Sequence, residues 1–150
     1  MRITSEAVAP GVAPEEAFRW WSRFEEGHAD HPGFSQEGAG RRILRATERE
    51  VEMEDTARLL GWRFVERTVA TLDPPAAVHL RGRNNLSTFH GTYRFEAHPE
   101  GTRVRFEGEV RPRGLLRAVS LLGKPLVWAF VRWDLRLHAR EMAKDHRPPQ

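Results

Sequence analysis

The sequence contains no cysteine, which excludes disulfide frameworks, thiolate nucleophiles and thiolate metal sites. It leaves the redox compartment open, because a chain without thiols is indifferent to it. Nothing approaches the ~18 consecutive apolar residues of a membrane span. The N-terminus, Met1-Arg2-Ile3-Thr4-Ser5-Glu6, turns polar at once and offers no secretory apolar region. A cytoplasmic location without stable membrane insertion is the resulting expectation. There is no phosphate loop, no dinucleotide glycine pattern and no nucleophile elbow; Gly38-Ala39-Gly40 lacks the strand-to-helix setting. No cofactor is therefore expected, and Ser/His/Asp catalysis has no recognisable frame. Lysine is scarce, with only Lys124 and Lys144 among 24 basic residues, and Tyr93 is the single tyrosine.

What is present fits one folded domain over residues 1–150. A chain of 150 residues buries ~70% of its unfolded surface, enough for a core and a modest cavity. Hydrophobic residues make up 39% and charged residues 30%, a globular rather than disordered balance. The net charge is +3, and the dominance of arginine accounts for a pI near 10.1. A basic pI invites a nucleic-acid reading, but the signs alternate, as in Arg103-Val-Arg105-Phe-Glu107-Gly-Glu109. Phosphate-binding surfaces gather one sign on one face. The mixture reads as a solvated surface, with no nucleic-acid partner.

Residues 3–9 read as a strand, broken by Pro10-Gly11. Pro14-Glu15-Glu16 opens a helix: proline suits the first helical position, and the glutamates complement the helix dipole. Ala17, Phe18, Trp20, Trp21 and Phe24 form its apolar face, with Gly27 as the expected stop. Residues 28–40 read as irregular. Period two then takes over, giving six strands at about 41–47, 50–59, 62–72, 76–83, 86–97 and 102–111. Turns are expected at Leu60-Gly61, Asp73-Pro74-Pro75, Asn84-Asn85 and Pro99-Glu100-Gly101.

These turns predict a register. A two-residue turn at Asn84-Asn85 sets Leu80 opposite Phe89 and Val78 opposite Gly91. The Pro99–Gly101 turn sets Phe95 opposite Val104, Tyr93 opposite Phe106 and Phe89 opposite Val110. One face then carries Val78, Leu80, Phe89, Tyr93, Phe95, Val104, Phe106 and Val110, and the other is charged or polar. After Pro112 a helical period runs to about Lys144, kinked or divided at Gly123-Lys124-Pro125. Residues 126–137 are apolar over more than one face, so this helix needs cover on two sides: the sheet, and either the first helix, a ligand or another subunit.

Three local patterns carry a resemblance. Ala13-Pro14-Glu15-Glu16-Ala17-Phe18, Leu72-Asp73-Pro74-Pro75, and Tyr93-Arg94-Phe95-Glu96 followed by Gly101-Thr102-Arg103-Val104 resemble the first helix, mid-sheet corner and penultimate hairpin of the START/birch-allergen-like (SRPBCC) superfamily. The likeness spans nearly the whole chain and is closest to the bacterial polyketide cyclase/dehydrase and lipid-transport-like branch. It implies an α+β helix-grip fold of order β-α-α-β6-α. In that fold a seven-stranded curved antiparallel sheet wraps a long C-terminal helix around a cavity. Members bind lipids, polyketides, isoprenoids or hormones, and some are enzymes. Residues 27–40 depart from the pattern, looking short and loop-like where many relatives have a second small helix.

The strands at 50–59 and 62–72 suggest a site. With Leu60-Gly61 as the turn, Asp55 lies opposite Glu66, Met53 opposite Thr68 and Ala57 opposite Phe64. This pairs two carboxylates on the cavity face, and adjacent carboxylates with restricted hydration resist joint ionisation, which suits acid/base work. The bland alternative is carboxylates at a wet edge pairing with Arg63 or Arg67. Arg45 on the neighbouring strand is a candidate to hold an enolate or ligand carboxylate. Tyr93 is a candidate hydrogen-bond donor, or simply an aromatic core residue.

Leu80, Phe89, Phe106, Trp128, Val131 and Leu135, with Met53, Phe64 and Thr68, are candidate lining. Trp20, Trp21, Phe130, Trp133 and Met142 share the same ambiguity between lining and core. His28-Ala-Asp30-His31 matches no zinc spacing and reads as a polar loop, so no metal is expected. His79 and His90 read as a cross-strand surface pair near Glu109. Three functions stay open: a binder or carrier of a small hydrophobic ligand; an aromatase/cyclase-type enzyme with Asp55 or Glu66 as base and Tyr93 or Arg45 as electrophilic partner; or an interaction module, with a homodimer across the surplus helix face.

Overall fold

Alternating side chains from Arg2 onward build β1 (Arg2–Pro10), which the Pro10–Gly11 corner ends before α1 (Pro14–Trp21). The structure is a computed structural model that describes residues 1–25, 35–59, 62–114 and 116–146. Glu16 Oε2 accepts a hydrogen bond from the Ala13 backbone N–H at 3.3 Å, a partial capping box. The helix stops at Trp21 rather than near Gly27. There the Ser22 N–H makes the last helical bond, to the Phe18 carbonyl, while the Ser22 hydroxyl donates to the Arg19 carbonyl, the competition with the helical ladder that serine commonly offers. A second small helix, and the His28–His31 cluster, would lie outside the described residues.

Six strands follow: β2 (Ser35–Ala46), β3 (Glu50–Leu59), β4 (Trp62–Asp73), β5 (Ala77–Asn84), β6 (Ser87–His98) and β7 (Gly101–Pro112). All seven strands form one antiparallel sheet in the order β1-β7-β6-β5-β4-β3-β2. Residues 35–40, expected to be irregular, are strand instead. Their Gly-rich composition hides the alternation on which a sequence reading depends, while Ser35 and Gly40 pair with Arg58 and Thr56 across an irregular register.

The β6–β7 register is the one expected, with Phe95 opposite Val104 and Tyr93 opposite Phe106. The β5–β6 register is shifted by two residues: Leu80 faces Gly91, Val78 faces Tyr93 and Gly82 faces Phe89. Asn84 is the cause. Its Oδ1 accepts from the backbone N–H groups of Leu86 and Ser87 and from the Ser87 hydroxyl, an Asx-type turn that moves the two-residue connection one position on, to Asn85-Leu86. A shift of two keeps every side chain on its face. It does separate the histidines: His79 bonds Thr92 Oγ1, and His90 lies opposite Arg81 and beside Glu109.

The final helix, α2 (Leu116–Asp145), runs continuously through Pro125. The core forms where its C-terminal half and α1 meet the concave wall. Ala9, Val12, Phe18, Val78, Phe95, Val104, Leu135, Ala139 and Met142 are 6% exposed or less. Phe18 and Phe95 meet edge to face at 5.9 Å, and Trp20 Nε1 donates to Asp145 Oδ2 at 2.8 Å, tying α1 to the end of α2. Thr102, fully buried, donates to the Val12 carbonyl at 2.7 Å and pins the β1–α1 corner to the β6–β7 hairpin.

Candidate functional site

The antiparallel β3–β4 register sets Asp55 opposite Glu66, Met53 opposite Thr68 and Ala57 opposite Phe64. The two carboxylates are cross-strand neighbours, but each has its own partner. Arg41 Nε and Nη2 donate to the two Asp55 oxygens at 2.8 Å each, with both side chains about 10% exposed. This is the bidentate fork geometry that gives arginine–carboxylate pairs their strength. The Arg41 guanidinium also lies 5.7 Å from the centre of the Phe24 ring. Glu66 Oε2 accepts from Asn84 Nδ2 at 3.1 Å, so the residue that shapes the β5–β6 turn also orients this carboxylate.

Arg45, the arginine singled out from the sequence, is not at the site. A bulge between Ile43 and Arg45 places Arg45 opposite Glu52 on the outer face, where it is exposed. Arg41, on the near side of the bulge, lies opposite Asp55. One extra residue in a strand reverses the face of everything beyond it, and strict alternation could not show that.

Tyr93 stands at the centre of the concave wall. Its ring meets Trp21 at 4.7 Å and Phe106 at 4.8 Å. Burial raises its phenol well above the ordinary tyrosine value, and the nearby charges of Asp134 and Glu66 push the same way. The hydroxyl is therefore held neutral, as a hydrogen-bond donor, at any ordinary pH.

Above it, α2 contributes Asp134 and His138, one turn apart. His138 Nδ1 lies 2.9 Å from the Asp134 carbonyl oxygen and 3.4 Å from Asp134 Oδ1. A carbonyl only accepts, so Nδ1 carries the proton, and in the neutral ring Nε2 holds the free lone pair. Trp21 and Trp20 flank the imidazole at 5.4 and 6.1 Å. Asp134 and His138 escaped the sequence reading. The available signal was an acid and a histidine at i, i+4, beside Leu135 and Ala139 on the inward side of an otherwise apolar stretch.

The candidate lining residues divide. Leu135 and Met53 are 1% and 2% exposed, and belong to the core. Thr68 is 5% exposed. Phe64, Leu80, Phe89, Phe106 and Val131 are half-buried. Trp128 is 43% exposed and lies on the solvent side, as do Phe130 and Trp133, so these three line nothing inside this chain. The boundary is sharp. On three separate elements, Val78, Val104 and Leu135 are at most 1% exposed, while Leu80, Phe106 and Val131, two or four residues away, stay accessible. On the outer face a concavity of about 580 Å³ is lined by Arg67, Arg81, Arg83 and Arg111 with Glu52 and His90. It lies across the sheet from Tyr93, and Arg67 and Arg111 are engaged there by Glu54 and Glu109. No group of three or more potential metal ligands occurs among the described residues, and no described helix is long and apolar enough to cross a membrane.

Residues 1–146 match the family described as "Polyketide cyclase / dehydrase and lipid transport". The chain belongs to this family. Among solved structures, the Zhui aromatase/cyclase of Streptomyces sp. R1128 superposes with a TM-score of 0.75 at 15% identity, over 98% of this chain and 94% of that one. The protein TTHA0849 of Thermus thermophilus gives 0.72 at 14% identity, over 99% and 100%. A START superfamily protein of Mycobacterium smegmatis gives 0.57 at 14% identity, over 89% and 93%. At such identities these likenesses establish the START-like helix-grip fold alone. No curated protein matches the sequence. The polyketide cyclase / dehydrase and lipid transport family thus frames the concave wall and its polar centre, and their chemistry has to be argued from this chain's own residues.

Proposed function

We propose that this chain binds a small, largely apolar molecule between the β5–β7 wall and α2 around Val131, with an oxygen-bearing end of the ligand at Tyr93. The observation that carries the reading is the change in exposure along three elements. Inward apolar side chains that would be buried in a filled interior stay accessible at Leu80, Phe106 and Val131. An apolar recess with a few convergent polar groups is the usual form of a small-molecule site. The neutral Tyr93 hydroxyl, with the charges of Asp134 and Glu66 near it and His138 held by Asp134, supplies the polar end. The family's description, which includes lipid transport, agrees with an apolar ligand.

Native mass spectrometry of the purified protein tests this directly. The expected result is a co-purifying small molecule released on activation, together with saturable, one-to-one binding of anilinonaphthalene sulfonate that Leu80→Trp abolishes. A protein that carries nothing and binds the dye neither stoichiometrically nor at this position would end the proposal.

A second reading, acid/base catalysis of the aromatase/cyclase kind, is favoured by one observation, that Asp134, whose charge reaches Tyr93, also holds His138. A neutral phenol can donate to a carbonyl oxygen while the free Nε2 of His138 accepts a proton. In this reading Asp55 is not the base, because both its oxygens are taken by Arg41. The sign of turnover would be loss of one water from the bound ligand with wild type but not with Tyr93→Phe.

A further inference from the structure

Among the described residues the large hydrophobic side chains left exposed are Leu86, Trp128, Phe130 and Trp133, and three of the four fall within six residues of α2. The sequence led to the expectation that this side of the helix is covered; among the described residues nothing covers it. Between Trp128 on one flank and Trp133 and Phe130 on the other runs a basic row. Arg132, Arg136 and Arg140 recur every fourth residue, which places them along one side of a helix, and exposed Lys144 continues the spacing. These rows bound a shallow groove of about 400 Å³ lined by Trp128, Ala129, Arg132, Trp133, Arg136, Leu137 and Arg140, with no acidic residue among them. The acids of this stretch lie elsewhere: Asp134 faces His138, Asp145 is bonded by Trp20, and Glu141 sits outside the groove. The Arg132 guanidinium lies 5.1 Å from the Trp128 ring centre, and Phe130 and Trp133 stack at 6.1 Å.

We propose that this face of α2 docks on the surface of an anionic phospholipid bilayer. Trp128 and Trp133, which flank the arginine row, would enter the headgroup boundary, and Arg132, Arg136 and Arg140 would contact phosphate groups. Three arguments favour a bilayer over other occupants. Tryptophan bodies flanked by arginine suit the interface between acyl chains and headgroups. The groove is shallow and lies on the outward side of a single helix, which suits headgroups, whereas a partner helix is normally held deeper, between elements. A second copy of this chain, related by a two-fold axis, would bring the same arginine row against itself, an unfavourable like-charge pairing. The inference is independent of what occupies the interior, so ligand binding can fail while this stands, and the reverse.

Co-sedimentation with vesicles tests it. Phosphatidylcholine vesicles carrying about a third phosphatidylserine should retain the protein, and phosphatidylcholine alone should not, with retention falling as salt rises. The combined variant Arg132→Gln, Arg136→Gln and Arg140→Gln should lower partitioning ~100-fold. Trp128→Ala with Trp133→Ala should lower it roughly 10-fold and abolish the blue shift of tryptophan emission on vesicles. All these positions are exposed, so unchanged circular dichroism and thermal transition would show that the variants still fold. As a separate check, Arg45→Gln on the outer sheet face should leave partitioning unchanged. No retention by anionic vesicles, equal retention by both compositions, or retention indifferent to the α2 variants would overturn the proposal. So would light scattering showing a dimer that the same variants dissolve, or capture of an acidic protein by this face without any vesicle binding.

Discussion

Tyr93 offers an unusually clean measurement because it is the only tyrosine in the chain. Tyrosinate absorbance therefore reports one site. Burial and the neighbouring carboxylates raise its pKa, so a folded sample at pH 10 should show almost no tyrosinate, while the denatured chain should be about half ionised there. The sign follows for stability. The unfolded chain releases this proton near pH 10 and the folded chain holds it, so stability should be steady below pH 10 and fall as pH rises above it. A normal titration in the folded state would remove Tyr93 from the neutral-donor role. The Arg41–Asp55 pair makes the opposite kind of prediction. Arg41→Met or Asp55→Leu alone should cost about 3–5 kcal/mol in urea unfolding, because each strands a buried charge, whereas the double variant should regain most of that loss. At this scale alternation made Asp55, Glu66 and Tyr93 legible. It did not reveal Arg41, which a bulge substitutes for Arg45, nor Asp134 and His138, whose inward direction depends on how α2 is rotated against the sheet.

The elements show how the concave wall is kept smooth. Gly82, Gly91 and Gly108 all face inward, and the rings of Phe89 and Phe106 lie across them: a Cβ at Gly91 would sit 2.5 Å from Phe106, and one at Gly82 would overlap Phe89. Cross-strand aromatic rings covering glycines let strands curve without leaving a void. Gly91→Ala should therefore lift the Phe106 ring off the wall, costing about 1–3 kcal/mol by overpacking. It should also weaken dye binding, because the displaced ring enters the proposed ligand space. Denaturant unfolding and dye titration on the same variant separate the two effects. Retained stability with unchanged binding would show that the rings are not fixed by the glycines. Strand and helix positions were legible because their periods are strong, and turn chemistry was less so. Asn84-Asn85 has the composition of a tight hairpin, but the choice of Asn84 to bond Leu86 and Ser87 depends on Glu66 being there to accept its amide. That partner lies on another strand.

Across the whole molecule the interior has two ends with different work. At one end α1, the C-terminal half of α2 and the strands close around Leu135, Met142, Val104 and Val78, all at most 1% exposed; at the other, Leu80, Phe106 and Val131 are only half-buried. Hydrophobic stabilisation follows area removed from water, so the closed end should hold most of the folding energy and the open end most of the ligand contact. Leu135→Ala and Met142→Ala should each cost about 2–5 kcal/mol. Any loss of ligand affinity should then follow only from the fraction unfolded. Leu80→Ala and Val131→Ala remove side chains that are only half-buried and should cost about 1 kcal/mol or less. Yet they should raise the dissociation constant of the co-purified ligand or of the dye in fully folded protein. A ligand that binds only the folded state also raises its stability, so the four variants should differ in a second way. Added ligand should raise the melting temperature of the closed-end variants as much as that of wild type, and raise that of the open-end variants less. Equal effects on folding and binding at both ends would mean that one continuous core fills the grip, and the proposed ligand space would have no physical basis.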